Sequence, residues 1–405
     1  MKPNHLIALT AMTGIVAAGV AGCSSHKAAP STTPGASTTP PITSVPQRIW
    51  QIQDLTALSG APAAALGGIA GYPSPDGTQH VLYIDSGGNI EDLWRDGTGW
   101  HHKDLSAATN APPPRLDVAG YAFQGAQHAV YLSTAHHIED LWWDRSGAHV
   151  EDLTALTGAP LSTDAITGYG FEAQGTKHVI YFSWPDDHVH ELWWDPTGWH
   201  HTDMAAVLGA PFADPGGHPV GYVFGGGQHV FYSGGGDRHM YEMWSDATGW
   251  HLDDLTAATG AQPSIGGFFT AYPFVAQGTQ HVIYKSFPLK DTHLRELWWD
   301  RTGWHTDDLT AVTGVLGAPW SVSGYAFEAQ GTQHVIADAD HIDEVWWDRN
   351  GWHMDDLTAA TGAPPPGGNG PVGYPFESQG TQHVVYVGRD DKHIHEIWWG
   401  PRAPA

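Results

Sequence analysis

"GTQHVVYVGRDDKHIHEIWWGPRAPA" runs from Gly380 to Ala405, and near copies of its first part occur upstream. "GTKHVIYFSWPDDHVHELWWDPTGWHHTDM" begins at Gly175 and "GTQHVIYKSFPLKDTHLRELWWDRTGWHTDDL" at Gly278. The upstream copies continue past the tryptophans into a Gly-Trp-His segment, and the last copy does not. The tryptophan two residues after the acidic one recurs at Trp94, Trp142, Trp193, Trp244, Trp298, Trp346 and Trp398, at intervals of 48 to 54 residues. Seven units of this period signal a repeat array. Each unit reads as four strands: "GYPFESQ" from Gly373, "QHVVYV" from Gln382, "HIHEIWW" from His393 and "GWHMDDLT" from Gly351. Short Gly- and Asp-bearing turns join them. A longer link, "AATGAPPPGGNGPV", leads to the next unit.

Four antiparallel strands repeated seven times predict an all-β, seven-bladed β-propeller. The ring must close, and the missing strand is found at the other end of the repeat region. "RIWQIQDLTALSGAP" from Arg48 aligns with "NGWHMDDLTAATGAP" from Asn350, placing Trp50 on Trp352, Asp54 on Asp356 and Leu55 on Leu357. The N-terminal strand is therefore expected to be the outer strand of the last blade. The acid pairs Asp253-Asp254, Asp307-Asp308 and Asp355-Asp356 fall at that outer edge. They read as charges that discourage sheet-to-sheet pairing. Calcium is the weaker reading, because consecutive residues point to opposite faces.

The formal charge of −26 among 405 residues repels phosphate backbones and anionic lipid headgroups, so nucleic acid is not an expected partner. The single cysteine, Cys23, excludes an intramolecular disulfide and a Cys-based zinc site. It follows an apolar stretch, Leu6 to Val20, and closes "VAGC", which resembles a bacterial lipoprotein signal. Residues 1–22 are then a signal peptide, with Cys23 the lipid carrier. Residues 23–47, rich in Ser, Thr and Pro, are a flexible tether, and residues 48–405 are the propeller. The expected location is the cell membrane, lipid-anchored and facing outside the cytoplasm, with no other membrane contact. No cofactor or metal is expected; His393 and His395 alternate on a strand without a nearby third ligand.

A histidine recurs on the second strand and an acid on the third, with aromatics after it. The histidines and acids make either buried ties within each blade or binding sites. The pattern "QHVIYxxxxxxHxxELWWDxTGW" resembles the fungal fucose-specific lectins, six-bladed propellers with an Arg-Val-Tyr strand in each repeat. The likeness spans all seven units. It implies a sugar pocket between neighbouring blades, with polar groups from one blade and aromatics from the next. On that reading the pockets combine His229 and Glu242 with Trp299 and Trp304, His281 and Glu296 with Trp347 and Trp352, and His334 and Glu344 with Trp399 and Trp50. These three are complete. Weaker ones use His128 and Asp140 with Trp194 and Trp199, and His178 and Glu191 with Trp250; His383 and Glu396 face Arg95 in place of a Trp and lose an aromatic wall. The pocket of His80 and Asp92 meets Ala148 and is expected to fail.

The family's arginine is histidine here in every unit, so a permanent planar cation is lost and fucose itself is in question. The residue types still suit a sugar: carboxylate and imidazole for hydroxyls, indole faces for C–H groups. The expected function is lectin-like glycan binding on a surface-anchored propeller. A protein-interaction scaffold is the alternative, and a glycan-active hydrolase ranks below both. An enzyme is not expected, since one recurrent acid per pocket falls short of the two carboxylates hydrolysis needs.

Overall fold

The computed structural model describes residues 48–288, 292–315 and 319–401. The expected signal peptide, Cys23 and the tether lie outside the described residues. Seven separate four-stranded antiparallel sheets make a seven-bladed β-propeller. Blades 1 to 6 span 64–104, 114–152, 162–203, 220–254, 264–308 and 321–356. Blade 7 takes three strands from 366–401 and its outer strand, Arg48–Asp54, from the N-terminal side. Trp50 lies opposite Trp399 and Asp54 opposite His395 in that closing pair.

The second strand of each blade is buried along its length, as in Thr176–Ser183 and Thr279–Ser286. Its side chains are covered on both sides by neighbouring blades, which explains runs such as "HVIY" rather than strict alternation. The first strand lies closest to the neighbouring blades, and glycine sets that distance. A Cβ on Gly221 would come 2.5 Å from Tyr169 of the preceding blade, and one on Gly373 2.5 Å from Tyr325.

The outer strand ends sooner than the sequence suggested. In "GWHMDDLT" it stops at Asp356, and Leu357–Thr361 forms a one-turn helix. Asp356 accepts from the Ala359 N–H, and Gly362 closes the turn at φ 70°. Asp254 and Asp308 cap the corresponding helices of blades 4 and 5. This corrects the edge-charge reading for the second acid of each pair, since an N-cap carboxylate satisfies an orphan N–H of the helix. These aspartates also receive a loop histidine: His239 Nδ1 is 2.8 Å from Asp254, His293 Nδ1 2.7 Å from Asp308 and His341 Nδ1 2.9 Å from Asp356. The next helical hydroxyl accepts from the start of the third strand, as in Met240 N–H to Thr256 Oγ1 at 2.9 Å. The closing blade repeats both ties across the chain, His393 to Asp54 at 2.7 Å and Ile394 N–H to Thr56 at 2.8 Å. Ring closure thus reuses the bonding of an ordinary blade. The link also carries more strand than the sequence suggested, with Pro366–Phe376 reaching back past Gly373 through an irregular register.

Candidate functional site

Cross-strand register decides which side chains can meet. In blade 4, His229 lies opposite Trp244, Phe231 opposite Glu242, and Glu242 opposite Asp253. Alternation puts His229, Glu242, Trp244, His251 and Asp253 on one face. In blade 5, Trp299 lies opposite both Gln280 and Trp304, so those three share the other face. Blade 4 presents its first set to the second set of blade 5. A cavity of about 570 Å³ lies between them, lined by all four residues assigned to this pocket, His229, Glu242, Trp299 and Trp304. It is also lined by Trp244, Asp253, Gln280 and the glycine turn Gly225-Gly226-Gly227.

The polar floor is tightly connected. His229 Nδ1 is 2.6 Å from Glu242 Oε1, and His229 Nε2 is 3.2 Å from the Phe224 carbonyl. A carbonyl only accepts, so Nε2 carries a proton, and a second proton lies between Nδ1 and Glu242. Gln280 donates to Glu242 Oε1 at 3.2 Å from the next blade and accepts from Tyr222 at 3.1 Å. Burial pushes the Glu242 carboxyl above its usual range, with Asp253 adding to the rise and His229 and Gln280 opposing it. The Trp244 ring stacks on His251 at 4.2 Å and its N–H donates to Asp253 at 2.8 Å. Trp299 meets Phe224 edge-on.

All seven histidine–acid pairs form. The shortest distances are 3.0 Å for His80 and Asp92, 2.9 Å for His128 and Asp140, and 2.8 Å for His178 and Glu191. They are 2.7 Å for His281 and Glu296, 2.8 Å for His334 and Glu344, and 2.8 Å for His383 and Glu396. Each pair is buried. In five blades the other ring nitrogen meets a threonine hydroxyl, as Thr279 does for His281 at 2.8 Å. The pairs therefore tie strands together whatever else they do.

The interfaces differ in what reaches those pairs. Between blades 2 and 3, Lys177 stands where the other units carry glutamine. Its ammonium is 2.8 Å from Asp140, 4.7 Å from the Trp199 ring centre and 5.8 Å from that of Trp194. Asp140, Trp194 and Trp199 do come together, around a residue of the chain itself. The Trp199 N–H also reaches back to Glu151 at 3.2 Å. Between blades 7 and 1, Gln53 of the closing strand donates to Glu396, and Gln79 approaches His383 at 3.4 Å. Between blades 3 and 4, Trp250 packs in the apolar cluster while Ser245 takes the place of the second Trp. Trp352 packs in the core between blades 5 and 6, and Trp50 in that between blades 6 and 7.

Two readings are corrected by this geometry. Asp253 is not merely an edge charge; it faces the pocket opposite Glu242. The cavity is thus lined by three acidic residues, Glu242, Asp253 and Asp246 at the turn, rather than one. The signal was present in the strand alternation, which puts Asp253 and His251 on one face.

No known family profile matches the chain, and no curated protein matches it in sequence. Solved structures do match. A mutant of AofleA from Arthrobotrys oligospora superposes with a TM-score of 0.51 at 14% identity, over 76% of this chain and 90% of that one. The Aleuria aurantia lectin, described as a six-bladed β-propeller with a novel fucose recognition mode, gives 0.50 at 16% identity, over 72% and 96%. The likeness is one of fold. It bears out the resemblance to the fungal fucose-specific lectins, in a ring of seven blades instead of six. The polysaccharide lyase Uly1 also matches, at 0.53 and 9% identity over 84% of this chain and 91% of that one. The fold therefore has neighbours in both binding and catalysis.

Proposed function

We propose that the protein binds carbohydrate in the pocket between blades 4 and 5. The observation that carries this is the pairing of indole walls with a polar floor, Trp299, Trp304 and Trp244 around Glu242, His229 and Asp253. The cavity falls within the range of small-molecule sites, about 300–1,000 Å³. Indole faces suit the C–H face of a pyranose, and carboxylates accept from vicinal hydroxyls. The pockets between blades 5 and 6 and between blades 6 and 7 follow the same plan with His281, Glu296, Trp347 and Trp352, and with His334, Glu344, Trp399 and Trp50. A fucoside is the first probe on a glycan array, because the Aleuria aurantia lectin, a fold neighbour, is described as recognising fucose; the loss of arginine argues for testing other sugars beside it. Trp304→Ala should weaken binding by about 10–100-fold, from roughly 1–3 kcal/mol of lost apolar contact, measured well below the melting temperature, which falls because Trp304 also packs on the core between blades 4 and 5. An array without any hit, or calorimetric binding unaltered in Trp304→Ala, would remove the proposal.

The pairing of Glu242 with Asp253 supports a second reading, a glycan-processing site. Release of new chain ends from a polysaccharide, lost in Glu242→Gln, separates processing from binding.

We further propose a lipid-anchored setting outside the cytoplasm, resting on Cys23 and the Ser/Thr/Pro-rich tether. Cys23→Ser should move the protein from membrane to soluble fractions or leave an unprocessed precursor. Lipid labelling unchanged in that variant would exclude the anchor.

A further inference from the structure

We infer that blade 3 holds a site for a divalent transition metal, formed by Asp186, His188 and His190 at the end of the blade opposite the sugar pocket. One ligand atom from each of these residues lies within 4.8 Å of the others. His190 is 3% exposed, and its Nε2 is buried without a hydrogen-bond partner.

Register shows where that nitrogen aims. His190 lies opposite Tyr181, as Tyr241 lies opposite Tyr232 and His395 opposite Tyr386. In blade 4 the Tyr241 hydroxyl reaches Asp237 at 2.6 Å, and in blade 7 His395 Nε2 reaches Asp391 at 2.9 Å. Asp237 and Asp391 each stand two residues before the loop histidine, the position of Asp186 in blade 3. His190 Nε2 is therefore directed toward Asp186 but forms no bond there. Asp186 accepts instead from Ser183.

The other nitrogen of His190 is held by a second imidazole; blade 1 has a histidine at the same place, His102, but it meets Glu91 at 3.4 Å. Nδ1 is 2.8 Å from His201 Nε2. Blade 4 has Leu252 at the position of His201, and blade 7 has Ile52. When His201 accepts, His190 carries its proton on Nδ1 and its lone pair on Nε2. A ligating histidine is oriented in this way by a partner on its second nitrogen. His188 is 3.0 Å from Asp203 and 3.9 Å from Asp186. Two imidazoles and a carboxylate, with a second carboxylate beside them, suit zinc and its neighbours better than calcium or magnesium.

Blade 3 also lacks a tie the others have. The helical hydroxyl that accepts from the third strand, Thr256 in blade 4 and Thr56 in blade 7, is replaced by Ala205. A metal joining Asp186, His188 and His190 would fasten the same corner.

The test is titration of the full-length protein, stripped with chelator, with Co²⁺ followed by its visible d–d absorption, then displacement by Zn²⁺. One saturable equivalent is expected, and Zn²⁺ should raise the melting temperature, since it binds only the folded form. His190→Tyr copies blade 4 and should fold, losing both the band and the Zn²⁺-dependent shift. Asp186→Asn, at an exposed carboxylate, should do the same. His201→Leu, which removes only the orienting partner, should weaken binding about 10–100-fold. His395→Tyr, the same change in blade 7, should leave the site intact. Absence of a saturable site in the parent protein overturns the inference. So does a cobalt band that survives His190→Tyr, or one that disappears in His395→Tyr.

Discussion

The interface between blades 2 and 3 and that between blades 4 and 5 are built from the same parts and end in different states. Each sets a histidine–acid pair against two tryptophans of the next blade. Between blades 2 and 3 the second strand contributes Lys177, whose ammonium bonds Asp140 and lies against Trp199. Between blades 4 and 5 it contributes Gln280, which bonds Glu242 but leaves an open cavity. The propeller frame therefore does not decide whether an interface is a site. Where both tryptophans are present, as in these two, the side chain on the second strand makes the difference, by its place against the indoles and by the charge facing the acid.

The largest test of this contrast removes the acids. Asp140 is fully buried and faces an ammonium that is itself nearly buried. Asp140→Ala strands that charge, and breaking a buried pair in this way costs about 3–5 kcal/mol. Both variants lose a histidine partner, His128 or His229; beyond that, Glu242→Ala removes only the partner of a neutral amide and should cost less, about 1–3 kcal/mol. Denaturant unfolding of both variants measures the difference. Equal losses would mean that the two interfaces are bonded alike and that Lys177 is incidental.

A smaller effect on stability, with a gain of function, is expected from Lys177→Gln. The amide can bond Asp140 as Gln280 bonds Glu242, so the loss should stay near 1 kcal/mol. The freed walls, Trp194 and Trp199, then face an empty pocket. Calorimetry with a sugar that binds the parent should show one added site. If stoichiometry stays fixed while the variant folds normally, position 177 does not decide occupancy.

The sequence made the frame legible because the frame is periodic. Tryptophan spacing gave seven blades, and the match of Arg48–Asp54 to Asn350–Asp356 gave the closing strand. The four members of the open pocket were also legible, since blade-to-blade pairing follows from the repeat. What escaped was local or unique. Asp254, Asp308 and Asp356 look like edge charges until the one-turn helix they cap is seen, because five residues are too few for a helical period. Asp253 was hidden by its neighbour; only alternation separates the capping acid from the pocket acid. Lys177 departs from glutamine once in seven units, and its meaning depends on the residues across the blade boundary.

The finest test of the contrast is pH. At Asp140 burial raises the carboxyl's pKa, but the charges of His128 and Lys177 outweigh it and the net shift is downward. Its contribution to stability is then full above the ordinary aspartate value, about 3.9, and is lost as pH falls through the lower folded value. At Glu242 the net shift is upward because burial prevails. The folded chain holds that proton after the unfolded chain has released it, near pH 4.3. Stability must therefore fall as pH rises from there, until the folded pKa is passed. The two interfaces bend the stability–pH curve at opposite ends. Asp140→Asn should flatten the acid limb below about pH 4, and Glu242→Gln should flatten the decline above it. Melting temperatures from pH 2.5 to 8 for the parent and both variants read these limbs separately. A Glu242→Gln curve that parallels the parent above pH 4 would show that Gln280 and His229 compensate the buried carboxylate as fully as Lys177 does, and the distinction between a filled and an open interface would then rest on volume alone.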